Sequence, residues 1–199
     1  MAIGNYYRFG YLSGNLEYGT FTNDGKNTQS AFNFKLIYFT KLQEFGPWKF
    51  RQFIKPQFII GTNRLDSNAD RLTLNDPNGI GGFYDKTLFG TKKILLALQT
   101  QGYSPWRIIG FRLNPYFGYT AGILGQEDTG FRYSKLYSKI SLGIIVSNDY
   151  LAFSSFQFSF SFYPNIPDGN TVLKMNSISA SDFRLQNFDI SRPVLIDYQ

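Results

Sequence analysis

The chain contains no cysteine and no histidine. Disulfides, thiolate nucleophiles and sulfur-ligated metals are therefore excluded, as are Ser-His-Asp and Cys-His catalysis and the usual zinc sites. Charge is also scarce, at 17% of 199 residues. The longest clean apolar run, Ile94 to Leu98, falls far short of the ~20 residues that a membrane-spanning helix needs. That absence excludes a helical span alone. A barrel strand needs only ~9–11 residues with one lipid-facing side, which averaged hydropathy misses. Residues Met1 to Tyr7 lack a basic segment followed by an apolar core, the mark of an export leader. The chain is therefore expected to be the C-terminal part of a longer protein. Glu127, Asp128, Asp149, Asp182 and Asp189 are scattered over loops and strand ends, without the pairing a glycosidase requires, and read as solvated charges. Gly79, Gly81 and Gly82 precede neither Lys-Ser/Thr nor a helix start, so they form no phosphate-binding loop. No enzymatic activity, cofactor or metal is expected.

Aromatic residues are plentiful instead: 21 Phe and 14 Tyr bring the aromatic share to 19%, yet mean hydropathy is −0.23. Apolar residues must then be interleaved singly with polar ones, as alternating strands require. Period-two alternation is the dominant signal. Phe156, Phe158, Phe160 and Phe162 alternate with Gln157, Ser159 and Ser161. Leu136, Ile140, Leu142, Ile144 and Val146 oppose Lys135, Tyr137, Lys139, Ser141 and Gly143. The same pattern runs through 107–122, 92–101, 51–60 and 32–38, and two further strands fit at 5–19 and 181–197. The reading is an all-β chain of about eight antiparallel strands.

The connections alternate in length: a loop at 20–30, a turn at 44–48, a long loop at 63–87, a turn at 103–105, a loop at 123–132, a turn at 147–149 and a long loop at 164–180. Short turns on one side and long loops on the other are the rhythm of an outer-membrane β-barrel. A soluble β-sandwich also alternates, but its strands average ~5–6 residues, fewer than these segments hold. The net charge of +6 comes without a basic block or a binding motif, so nucleic acid is not an expected partner. Lys35, Arg51, Lys55, Lys93, Arg112 and Lys139 share the polar sides of their strands. Charge on a lipid-facing side costs ~2–4 kcal/mol at mid-bilayer, so these six are expected to line a barrel interior. There they either attract anionic segments of a client or solute, or pair with carboxylates and water.

The order of elements carries a resemblance. A long loop holding Ile80-Gly81-Gly82-Phe83 is followed by a Leu-rich strand and the turn Ser104-Pro105-Trp106. A strand then runs from Gly110-Phe111-Arg112 to Phe117-Gly118-Tyr119-Thr120-Ala121-Gly122. This is similar to the C-terminal half of the BamA/TamA-type barrels, the bacterial surface antigen family, which includes two-partner-secretion and patatin-linked members. Leu142 to Pro164 and the ending Arg192-Pro193 to Tyr198-Gln199 resemble the Bacteroidetes-type versions. The resemblance implies that residues 1–199 are the second half of a sixteen-stranded transmembrane β-barrel in the bacterial outer membrane. It implies a lumen loop centred on Ile80, Gly81, Gly82 and Phe83, and a role in outer-membrane protein assembly or in protein secretion. The implied partners are outer-membrane lipid, a client polypeptide, and the rest of the barrel or an upstream periplasmic region. The last strand, about 181–197, would form a lateral seam through Phe183, Leu185, Phe188 and Ile190, where unpaired edge groups template a client strand. The chain departs from the family twice: Gly81 stands where the motif has arginine, and the Asp expected near Thr120 is missing. Losing both partners of a buried pair is tolerable where losing one costs ~3–5 kcal/mol. The alternatives are a porin-like channel and a membrane anchor for a separate N-terminal domain.

Overall fold

Among the described residues eleven strands follow one another without a helix: β1 (Ala2–Tyr7), β2 (Gly10–Asn23), β3 (Lys26–Thr40), β4 (Gln43–Phe45), β5 (Trp48–Thr62), β6 (Lys92–Tyr103), β7 (Arg107–Ile108), β8 (Phe111–Gly125), β9 (Leu136–Asn148), β10 (Phe156–Tyr163) and β11 (Val172–Ile178). The structure, a computed structural model, describes residues 1–23, 26–63, 71–148, 156–167 and 172–178. All strands join one antiparallel sheet in the order β1-β2-β3-β5-β6-β8-β9-β10-β11, with β4 added to β5 and β7 to β8. Among the described residues β1 and β11 are the two ends of this path. Because neighbours in sequence are neighbours in the sheet, each hairpin forms from local contacts. The central strands are long; β3, β5 and β8 each hold 15 residues.

Register converts sequence alternation into two chemically opposite faces. Leu16, Phe34, Phe58, Ile94, Ile123 and Leu136 lie side by side across six strands. A second row joins Leu12, Tyr38, Ile54, Leu98, Tyr119, Ile140 and Phe162. These rows belong to one apolar face. The opposite face carries the row Lys55-Ala97-Thr120-Lys139.

Burial is inverted relative to a soluble sheet. On β10, Phe156, Phe158, Phe160 and Phe162 are 49%, 55%, 58% and 40% exposed, whereas Gln157, Ser159 and Ser161 are 4%, 5% and 0% exposed. Buried Lys93, Gln99, Gln101, Asn114, Lys139, Ser141, Gln157, Ser159 and Ser161 all lie on the polar face. Glycine lets large rings lie flat there. A Cβ on Gly143 would stand 2.5 Å from the Tyr116 ring, which crosses the strand and accepts a hydrogen bond from Gln157.

Several expected boundaries change. The single strand expected at 5–19 is a hairpin, β1 and β2, reversing at Arg8-Phe9. Gly10 has φ +145° there, and a Cβ would meet Phe39 O at 2.1 Å, so only glycine lets the chain turn in against β3. The loop expected at 20–30 is mostly strand, because β2 and β3 stay paired out to Asn23 and Lys26. The long loop expected at 164–180 contains β11, which completes a hairpin with β10. Among the described residues the path counts nine strands, where about eight were expected for the whole chain. The connection expected at 63–87 extends to Thr91. The expected strand at 181–197, with Phe183, Leu185, Phe188 and Ile190, lies outside the described residues.

Candidate functional site

The connection between β5 and β6 folds back onto the polar face. Its stem closes through paired backbone hydrogen bonds between Leu72 and Gly90, at 2.8 and 2.9 Å. Inside the stem, Asn75 imitates a strand: its Nδ2 donates to Asp85 O and its Oδ1 accepts from Asp85 N, both at 2.8 Å. The tip is held by Ile80 N donating to Leu74 O and Phe83 N to Ile80 O. Gly82, at φ +72°, turns its N–H to the Asp76 carboxylate at 3.1 Å. A further turn is tied by Asp85, which accepts from the Thr87 hydroxyl and from the amides of Thr87 and Leu88. Burial pushes the Asp85 carboxyl up, but those hydrogen bonds outweigh it and hold it below the ordinary carboxylate value.

Apolar contacts seat the loop. Leu72, Leu74, Ile80 and Phe83 are buried against Ile59, Leu95, Leu124, Tyr137 and Tyr163 of the sheet. The landing strip is cut from small residues: a Cβ on Gly122 would lie 2.6 Å from Leu74 Cδ2 and 3.1 Å from Leu95 Cδ1. Two polar ties complete the docking. Tyr163 donates its hydroxyl to Gly81 O at 2.7 Å. Buried Lys93 places Nζ 3.1 Å from Asn78 O and 3.3 Å from Thr73 O. Charge-assisted bonds of this kind contribute ~1.5–3 kcal/mol each.

Between the loop tip and the sheet lies a cavity of about 170 Å³, lined by Lys35, Lys55, Gln57, Gln99, Thr120 and Ser141 from the sheet and by Asp76 to Gly79 and Gly81 from the loop. Strand pairing is interrupted beside it. The β3–β5 ladder passes from Lys35↔Gln57 directly to Tyr38↔Ile54, where Pro56 has no N–H to donate.

The six sequence-selected basic residues all occupy polar-face register positions. Lys35 and Lys55 line the cavity, Lys93 ties down the loop, and Lys139 lies in the cross-strand row of Lys55. Arg51 and Arg112 lie toward the opposite end of the sheet; Arg51 covers the Phe39 ring at 5.1 Å. Of the loop tetrapeptide, Ile80 and Phe83 are buried anchors, while Gly81 presents a carbonyl to Tyr163. Sequence reasoning missed Leu72 and Leu74, whose alternation in Arg71-Leu72-Thr73-Leu74 was the available signal. It also missed a ring ladder on the polar face, Tyr6-Tyr11-Phe39-Phe53, with successive centroids 4.9, 4.9 and 5.7 Å apart. Among the described residues no three His, Cys, Asp or Glu side chains cluster as metal ligands would. No protein-family model matches the chain, and no curated protein or solved structure shows significant similarity to it.

Proposed function

We propose that the chain is a wall of a transmembrane β-barrel in a bacterial outer membrane, with its apolar face toward lipid, its polar face inward and the 71–91 loop as an internal plug. The inverted burial of β10 carries this reading. Four roughly half-exposed phenylalanines leave on the order of 400 Å² of ring surface on one strand. Removing that area from water is favourable by ~10 kcal/mol at ~25 cal/mol per Å². Soluble monomers seldom expose an apolar patch above ~300–600 Å², and the apolar rows continue across the other strands. An aromatic cluster at one end adds support. Trp48 meets Trp106 at 4.9 Å and stacks on Phe50 at 5.9 Å, while Tyr7 stacks on Phe9 at 5.3 Å. Rings of this kind form the interfacial girdle of membrane barrels.

The resemblance to the surface antigen family extends the proposal to outer-membrane protein assembly or protein secretion. The work is non-covalent: positioning a client strand, with lipid and the remainder of the barrel as partners. Deleting the gene in its host and quantifying outer-membrane proteins tests this. Assembly predicts a broad fall in other barrel proteins, and secretion predicts retention of one exported client. An unchanged outer membrane and secretome rejects both and leaves a channel or an anchor.

A further inference from the structure

We infer that the rim of short turns is a docking surface for anionic phospholipid headgroups. The inference rests on the barrel reading, which places this rim where the headgroups begin. Three turns build it. Arg8-Phe9 joins β1 to β2, residues 41–49 carry the chain from β3 through β4 into β5, and residues 104–110 lead from β6 through β7 to β8. The turns touch one another: Lys41 N and the Tyr38 hydroxyl both donate to Phe9 O at 3.3 Å, and Trp48 meets Trp106 at 4.9 Å. Each turn sets a basic residue beside an apolar one. Arg8 lies between Tyr7 and Phe9, Lys41 precedes Leu42, Lys49 follows Trp48 and Arg107 follows Trp106; all four basic residues are exposed. Glu44 is the one acidic residue among the described residues of these turns, and it pairs with Lys49 at 2.7 Å. Arg8, Lys41 and Arg107 are therefore an excess of positive charge; Asp149, in the next turn, lies outside the described residues. The opposite end of the sheet mixes its signs, with Lys86 and Lys135 among Asp85, Glu127 and Asp128.

An acidic protein would answer the charge but not the apolar residues level with it. Trp48 and Phe50 continue the apolar face of β5 from Ile54, and Ile108 stands opposite Phe111. At the hairpin tip Ile109 is 92% exposed and held at φ +50°, a conformation unfavourable for a β-branched residue. Aromatic and aliphatic side chains interleaved with arginine and lysine suit a bilayer surface, where rings sit at headgroup level and cations meet lipid phosphates.

The test uses the full chain folded in bilayers, because its two tryptophans, Trp48 and Trp106, both lie on this rim. Bromine-labelled phosphatidylglycerol and bromine-labelled phosphatidylcholine are compared as quenchers, each as the same minor fraction of a phosphatidylcholine bilayer. A headgroup held by even one of these basic residues should be enriched at the rim about fivefold over phosphatidylcholine. The preference should fall toward one at about 1 M salt, where the Debye length is ~3 Å. Arg8→Gln/Lys41→Gln/Arg107→Gln should abolish it, while Lys86→Gln/Lys135→Gln should keep it. A preference that the triple variant keeps overturns the site. Equal quenching by the two lipids in the unaltered chain also overturns it, whether or not the triple variant folds, and leaves an acidic protein as the rim's partner. Quenching by neither lipid overturns the barrel reading and the site together.

Discussion

Replacing Phe160 with arginine probes the polarity inversion near the middle of β10. Phe160 is 58% exposed and lies in register with Leu142 and, one strand further, Phe117. If this face meets lipid, arginine costs ~2–4 kcal/mol at mid-bilayer, and loss of the ring removes roughly 1–2 kcal/mol more. The sum, about 3–6 kcal/mol, lowers the folding constant by roughly two to four powers of ten. If the face meets water, the same change is a surface substitution worth within about 0.5 kcal/mol. Guanidinium unfolding in lipid vesicles, followed through Trp48 and Trp106 fluorescence, separates the two outcomes. Tyr133→Arg, in an exposed connection, is the control and should shift stability by no more than about 0.5 kcal/mol. A Phe160→Arg chain as stable as that control refutes the reasoning.

Three further outcomes concern the loop. Leu74→Ala removes a fully buried anchor and should weaken docking by ~2–5 kcal/mol, read as faster proteolysis within 71–91 while the strands stay protected. Gly122→Leu should release the same loop from the other side, since even a Cβ meets Leu74 at 2.6 Å; overpacking costs ~1–3 kcal/mol. The lowered Asp85 carboxyl contributes stability above its unfolded value and loses it as pH falls through the folded value. Below pH ~4 the 85–88 turn should therefore exchange its amide hydrogens faster, and Asp85→Asn should abolish that dependence.

Most of the sheet was legible because each central strand keeps one face apolar over several successive alternate positions, as in Ile140, Leu142, Ile144 and Val146. Legibility failed where the two-sided contrast fades. From Thr22 to Ser30 every residue is polar or glycine, so paired strand looked like loop. At Tyr6-Tyr7 and Tyr11-Leu12 both sides are bulky, and a two-residue turn left no polar gap to betray the hairpin. In β11 the alternation Leu173-Lys174-Met175-Asn176 is short and follows Asp168-Gly169-Asn170, which reads as loop. The basic residues of the site were legible through alternation alone. The cavity was not, because it depends on Leu74 and Gly122 meeting across about fifty residues of sequence, a match of shapes that no local period encodes.

The absence of native cysteine permits the most direct measurement. Single cysteines placed at each position from 156 to 163, labelled with a fluorophore and reconstituted with bromine-labelled lipid, report which side chains touch acyl chains. Quenching at 156, 158, 160 and 162, with none at 157, 159, 161 and 163, is the predicted result. Quenching without alternation, or at the odd positions, contradicts a lipid-facing phenylalanine row and with it the barrel.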